Sequence, residues 1–370
     1  MANKLLFLTL RVFSATGGIE KVCRVAGKSL YELGLQCGGL VKIHSMHGPK
    51  GKADGNKYFP QLLFTGFGGR RIRYVFKSFM AGRKSDVVLM SHINLLLVGW
   101  LIKKTRPSVK LVLLAHGIEI WEPLSSWKKK MLHHCDLILP VSKFTRDKII
   151  SLHGIPEKKL VVINNCIDPF MERPLQEGKD ISLLKQYGLG ENDIILLTVS
   201  RMVETERYKG YDRVLQSLPA LISQYPNIRY LMVGMYDEAE KRRLDEMISS
   251  LGLRANVVFT GMVPDEVLAA HFLLADIFVM PSEKEGFGIV FIEAMFYGLP
   301  VIGGNKDGST DALMDGEMGL LVDPENITQI TEAIARVIHN RKAYLPDQAK
   351  LMRYFGYTRY KERIGEVFWG

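Results

Sequence analysis

Glu285-Gly286-Phe287-Gly288, followed by Glu293, is the densest group of chemically capable residues in this sequence. Residues 276–282 read as a buried strand running into a turn. Residues 289–297 carry apolar side chains at helical spacing, Gly298-Leu299-Pro300 stops them, and residues 301–304 read as the next strand. Glu285 is therefore expected on a loop at the carboxyl end of a strand, where open α/β sheets bind ligands. The glycines allow close approach of the backbone, and the helix start offers unpaired N–H groups. Such a place suits a sugar and a phosphate. A carboxylate pair is equally open to glycoside hydrolysis at this stage.

Further elements carry cations and glycines to similar positions. Ser200-Arg201 leaves one strand pattern and Lys209-Gly210 opens the following helix. Arg as a planar fork and Lys as a point charge are suited to a diphosphate. The first half holds a turn, Thr16-Gly17-Gly18-Ile19-Glu20, which is not GxGxxG and so misses the dinucleotide fingerprint. His116-Gly117 follows another strand pattern, where an imidazole can hydrogen-bond a sugar hydroxyl or a developing charge.

What must position these residues is an alternation of strands and helices in each half. Strands are expected at 5–10, 40–43, 87–90, 111–115, 137–141 and 161–163, with helices at 20–33, 94–104 and 143–151. Between about 171 and 190, prolines and glycines interrupt the pattern, and an interdomain linker is expected there. The alternation resumes with strands at 194–199, 230–233, 257–260, 277–280, 301–303 and 320–322. The reading is an α/β protein of two doubly wound parallel sheets facing each other across a cleft. One domain is residues 1–170, with the aromatic-rich segment 354–370 packing back on it as a helix, and the other is 191–353.

The composition excludes some classes of function. With 47% hydrophobic and 24% charged residues the 370-residue chain is ordinary for a soluble protein, and its apolar runs fall short of a membrane span. Cys23, Cys37, Cys135 and Cys166 form no CxxC pair, which suits reduced thiols in the cytoplasm. The net charge of +10 is uneven: residues 1–165 hold 27 Lys and Arg against 9 Asp and Glu, a net of +18, and the remainder nets −8. Residues 70–84 contain Arg70, Arg71, Arg73, Lys77, Arg83 and Lys84 and no acid. As a helix, they place Ile72, Val75, Phe76, Phe79 and Met80 in an apolar stripe. Two readings stand: a helix lying on an anionic membrane, or one packing its stripe on the core.

Taken together, Gly17-Gly18, His116, Arg201, Lys209-Gly210 and the Glu-x7-Glu motif in PSEKEGFGIVFIEAMFYGLPVIGG resemble the retaining glycosyltransferases of family 4, with the GT-B fold, over essentially the whole chain. The resemblance implies that Arg201 and Lys209 grip the donor diphosphate. Glu285 and the N–H groups of Gly286, Phe287 and Gly288 would hold the donor sugar, and Glu293 the ribose. Gly17 and Gly18 would approach the diphosphate, and His116 would line the sugar pocket. It further implies a hexosyl donor carried on a nucleoside diphosphate, UDP-sugar favoured and GDP-mannose second, with no metal or other cofactor. The acceptor would be a saccharide, free or borne on polyprenyl diphosphate, used in bacterial cell-surface polysaccharide or glycolipid synthesis at the inner face of the membrane. Two departures stand out: Arg207 lies beside Lys209 in a long loop, and Lys306-Asp307-Gly308-Ser309-Thr310-Asp311 replaces the family's usual Pro-Glu pair. Competing readings are a GT-B sugar-nucleotide epimerase and a non-catalytic basic protein binding nucleic acid or membrane. The acidic second half and the absence of recognition motifs oppose a nucleic-acid partner.

Overall fold

The computed structural model describes residues 4–14, 17–49, 56–173 and 178–370. Thr16, expected in the glycine turn, lies outside them. The chain forms two compact units, Met1–Pro169 with Phe355–Gly370, and Phe170–Tyr354.

The sheet of the first unit contains β1 (Lys4–Thr9), β2 (Leu40–Ser45), β3 (Phe64–Gly66), β4 (Val87–Met90), β5 (Lys110–Ala115) and β6 (Leu137–Pro140). Their order is β3-β2-β1-β4-β5-β6 with every pairing parallel. Successive side chains of a strand point to opposite faces, and both faces are covered here, which is why these strands read as continuous apolar runs. Leu5, Phe7, Val87 and Leu89 enter one core layer with Cys23, Ala26 and Leu30; Leu6, Leu8, Val88 and Met90 enter the other with Tyr74, Leu96 and Ile102.

One strand differs from expectation. Residues 161–163 are extended but form no strand, touching β6 through Val161 N–H to Ile138 O at 3.1 Å and Ile163 N–H to Pro140 O at 2.9 Å. The sixth strand is instead β3, three residues at the sheet edge beside β2.

Helix Tyr357–Phe368 lies against helix Gly18–Gln36 of the same unit. Its Tyr360, Ile364 and Phe368, spaced at helical intervals, are buried in the layer that holds Leu5 and Phe7. Tyr357 donates to Glu32 Oε2 at 3.0 Å, and Lys361 reaches the same oxygen at 3.1 Å.

The second unit repeats the topology with β7 (Ile194–Val199), β8 (Ile228–Val233), β9 (Val257–Gly261), β10 (Ile277–Met280), β11 (Val301–Gly304) and β12 (Leu320–Val322). The order β12-β11-β10-β7-β8-β9 reverses direction between β7 and β10. Two crossovers part there in opposite directions, leaving a crevice at the carboxyl ends of the strands. Of the segment expected as a linker, residues 178–190 belong to this unit. Asp180 caps helix Ile181–Gln186, Leu184 and Leu189 are buried, and Lys179 pairs with Asp276 at 2.7 Å.

Candidate active site

The loops after β7, β10 and β11 are interlocked. Gly210 opens helix Tyr211–Ile222 at φ 76°, and a Cβ there would lie 2.2 Å from Pro281 O, so only glycine lets the first two loops meet. Glu283 N–H donates to Tyr208 O at 2.9 Å across the same junction. The contact brings Lys209 Nζ onto Glu285 Oε1, each side chain 15% exposed. Burial opposes the Lys209 charge, but the Glu285 carboxylate outweighs it and holds the ammonium above its ordinary pKa. Lys209 is thus a permanent cation in a sheltered place.

Arg201 projects into solvent, 64% exposed, and pairs with Glu206, whose carboxylate is nearly covered. Tyr208 feels Lys209, Glu206, Glu285 and Arg201 together, although burial is the main reason that its phenol is pushed above the usual range. Arg207 is otherwise engaged. It donates to Glu240 Oε2 at 2.8 Å; Glu240 is fully buried and also accepts from Tyr211 at 2.9 Å and from Arg243. Burial disfavours the Glu240 charge, yet Arg243, Arg207 and Tyr211 overcome it and hold its pKa down. The second cation of the loop is therefore an anchor, tying the Arg201–Lys209 segment to helix Glu238–Ser250. Glu204 N–H to Asp237 Oδ2 at 2.9 Å gives a second tie.

This division of labour has a measurable consequence. Arg207→Ala should cost about 1–2 kcal/mol of unfolding free energy, since Glu240 keeps Arg243 and Tyr211. The salt dependence of nucleotide binding should stay that of the parent. A weaker salt dependence would mean that Arg207 contacts the phosphates after all.

Asp307 organises the other loops. It is fully buried. Its Oδ2 accepts from Ser282 Oγ at 2.8 Å and Glu285 N–H at 2.6 Å, and its Oδ1 from Ser309 N–H at 2.9 Å. Burial pushes its pKa up to about 6, with the Glu285 charge adding to the effect and the hydrogen bonds from Ser309 and Glu285 opposing it. Gly308 N–H donates to Glu285 O at 2.8 Å, and a Cβ on Gly308 would meet Gly286 O at 2.2 Å. Glu285 is thus held by its own N–H, its carbonyl and its carboxylate. From the sequence, Asp307 or Asp311 was expected to stand in for the family's Pro-Glu pair; no part was expected for Ser282, Gly308 or Ser309. An Asp two residues before a Ser at a helix start is an Asx-turn signature that could have found the arrangement.

The remaining candidates fall as follows. Glu293 is buried in helix Ile289–Phe296, whose start is Gly288 at φ 81°. The Phe287 ring is also buried, so that residue can face a ligand only through its backbone. His116, Gly17 and Gly18 belong to the first unit. His116 follows β5 and its Nε2 donates to Ser91 O at 2.8 Å, linking the ends of β4 and β5; the ring is then fixed with Nδ1 as its other face. The backbone N–H of His116 donates to Glu119 Oε1 at 2.6 Å. His92 sits beside this group, its pKa lowered chiefly by burial. Gly17 is the extended residue before helix Gly18–Gln36, and nothing lies within 4 Å of where a Cβ on Gly18 would be.

Comparison with known proteins decides the family. A model described as Glycosyltransferase Family 4 matches residues 16–169, and one described as Glycosyl transferases group 1 matches residues 181–359, which includes every residue of the interlocked loops. The chain belongs to the family 4, group 1 glycosyltransferases. Its architecture agrees with theirs: an Anabaena protein, HepE, solved with UDP and glucose, superposes with a TM-score of 0.77 at 20% identity over 98% of each chain. That likeness is one of fold, GT-B. Among sequence relatives, the chain is 30% identical over 240 residues to a GDP-mannose-dependent alpha-(1-6)-phosphatidylinositol monomannoside mannosyltransferase of Mycolicibacterium smegmatis. That match covers 62% of this chain and 61% of the relative. It is also 30% identical to a mannosylfructose-phosphate synthase of Agrobacterium fabrum, over 51% of this chain and 42% of that one. The chain thus spans less than two thirds of the length of each of these two relatives.

Proposed function

We propose that this glycosyltransferase moves a hexose from a nucleoside-diphosphate sugar to a lipid-borne saccharide or polyol, with retention at the anomeric carbon. The observation that carries the reading is the Lys209–Glu285 pair, sheltered where strand order reverses between β7 and β10, with Arg201 beside it. Lys209 and Arg201 take up the diphosphate charge that grows as the sugar leaves, a role that calls for no metal. Glu285, held in place by Asp307 and Gly308, accepts hydrogen bonds from sugar hydroxyls, and Glu293 from the ribose. A donor phosphate oxygen takes the acceptor proton as the acceptor attacks from the leaving-group face, so no protein nucleophile is needed.

GDP-mannose is the first donor to test, because the mycobacterial relative carries that dependence in its name. The phosphatidylinositol in the same name supports a lipid acceptor, and a lipid acceptor in turn calls for work at a membrane surface, which we place at the inner face of the cell membrane. Among the described residues no helix is long and apolar enough to cross one.

The test is a melting-temperature screen against GDP-mannose, UDP-glucose, GDP and UDP, followed by sugar release with and without a lipid extract. A ligand at a hundred times its Kd adds about 2.7 kcal/mol to the native state, a shift of several degrees. One nucleotide series should raise the melting temperature and its sugar should be consumed. If no nucleotide sugar does either, the reading fails.

A further inference from the structure

Helix Arg71–Gly82 has two apolar faces, and the fold uses only one of them. The buried face is Tyr74, Ser78 and Gly82. The Tyr74 ring meets Phe67 edge-on at 5.3 Å, Ser78 Oγ lies 3.0 Å from His44 Nδ1, and a Cβ on Gly82 would be 2.3 Å from Ile102 Cδ1. Val75 and Phe79 pack partly against the same core. Ile72, Phe76 and Met80, one helical turn apart, point away from it with 87%, 60% and 40% of their surfaces exposed. A contiguous apolar stripe left in water beside a satisfied core marks an interaction surface.

The charges around the stripe say what covers it. Arg70, Arg71, Arg73, Lys77, Arg83 and Lys84 are all exposed. No acidic residue lies between 70 and 84, and Arg70, Arg71, Arg73, Lys77 and Lys84 form no ion pair among the described residues. Arg73 and Lys77 follow Ile72 and Phe76 by one residue and so flank the stripe along its length. A protein groove would be expected to answer some of these cations one by one. A sheet of anionic headgroups over acyl chains answers all of them, together with the stripe, in one plane.

We propose that helix Arg71–Gly82 seats the first unit on an anionic lipid bilayer, with Ile72, Phe76 and Met80 entering the headgroup boundary and the six cations on the lipid phosphates. The proposal deepens the reading of a lipid-borne acceptor and rests on it only for its purpose. The stripe is also a small contact, and a single weak amphipathic segment gives reversible binding, which suits an enzyme that must exchange acceptors.

The experiment is co-sedimentation of the full chain with vesicles of phosphatidylcholine mixed with phosphatidylglycerol, against phosphatidylcholine alone, at low and high salt. Binding is expected on the mixed vesicles, weakening as salt rises. Arg71→Glu, Arg73→Glu and Lys77→Glu together should lower the partition coefficient at least about a hundredfold, since each lost cation is worth roughly fivefold. Ile72→Ser, Phe76→Ser and Met80→Ser together should lower it about tenfold or more, with the far-ultraviolet circular dichroism and melting temperature of the parent. Phe76→Trp should gain a blue-shifted emission component on mixed vesicles, read as a difference from the parent. Equal binding to both vesicle types, indifference to both triple variants, or a stripe that instead drives self-association without vesicle binding would overturn the proposal. Sugar release without lipid, measured on the same preparations, separates the two readings. A parent that releases sugar but binds no vesicle loses only the docking face, and one that binds vesicles but consumes no nucleotide sugar loses only the transferase reading.

Discussion

Lys209→Met should lower kcat by about 10²- to 10³-fold at saturating donor, the cost typical of removing one preorganised charge from a developing anion. Methionine keeps most of the stem and removes only the ammonium, so packing of the loop is preserved and the loss reports electrostatics. The parent lysine is held charged by Glu285, and no pH in the working range discharges it. In the variant Glu285 loses its counterion in a sheltered position. Arg201→Ala should be milder, about tenfold, because an exposed guanidinium acts through screened solvent. Turnover of Lys209→Met within tenfold of the parent would refute the assignment of the donor site.

The second large effect is on stability. Asp307→Ala leaves the N–H groups of Glu285 and Ser309 and the Ser282 hydroxyl short of their buried acceptor. At about 1–3 kcal/mol for each group left unsatisfied, partly recovered by water, the net loss should be roughly 3 kcal/mol. The loss should also depend on pH. In the unfolded chain this carboxyl titrates near its ordinary value of 3.8, and in the folded chain at about 6. Between these values the native state holds a proton that the unfolded state has released, so the contribution of Asp307 to stability is complete below pH 4, falls as pH rises to 6, and is flat above. The difference between parent and Asp307→Ala in urea unfolding should thus be larger at pH 4.5 than at pH 7.5. A difference that grew with pH would mean that the carboxylate is held ionised.

Both effects rest on features that were unequally legible in the sequence. The sheets were readable because doubly covered strands are apolar on both faces, and β1, β4, β7 and β10 carry few residues with another reading. The edge strand β3 was not readable, since Phe64-Thr65-Gly66 offers three residues and no period, while 161–163 mimics a strand by being β-branched and extended. Glu285, Lys209 and Arg201 were visible as residue types at strand ends. Their mutual pairing was not, nor was the difference between Arg201 and Arg207, because Arg207 is decided by a carboxylate 33 positions away. The helix at 71–82 was legible as apolar and basic, but its split into a packed face and an open one depends on where Phe67, His44 and Ile102 come to lie.

The C-terminal helix sets an order of events during synthesis. Tyr360, Ile364 and Phe368 share a core with Leu5 and Phe7, while residues 170–354 form a separate compact unit between them in the chain. The unit translated first therefore stays unfinished, with one layer partly open, until the one translated after it is already made. A nascent chain should expose that layer to chaperones until Tyr357–Phe368 has been made, and a nonsense codon before Tyr357 should destabilise the amino-terminal unit while leaving the loops after β7, β10 and β11 intact.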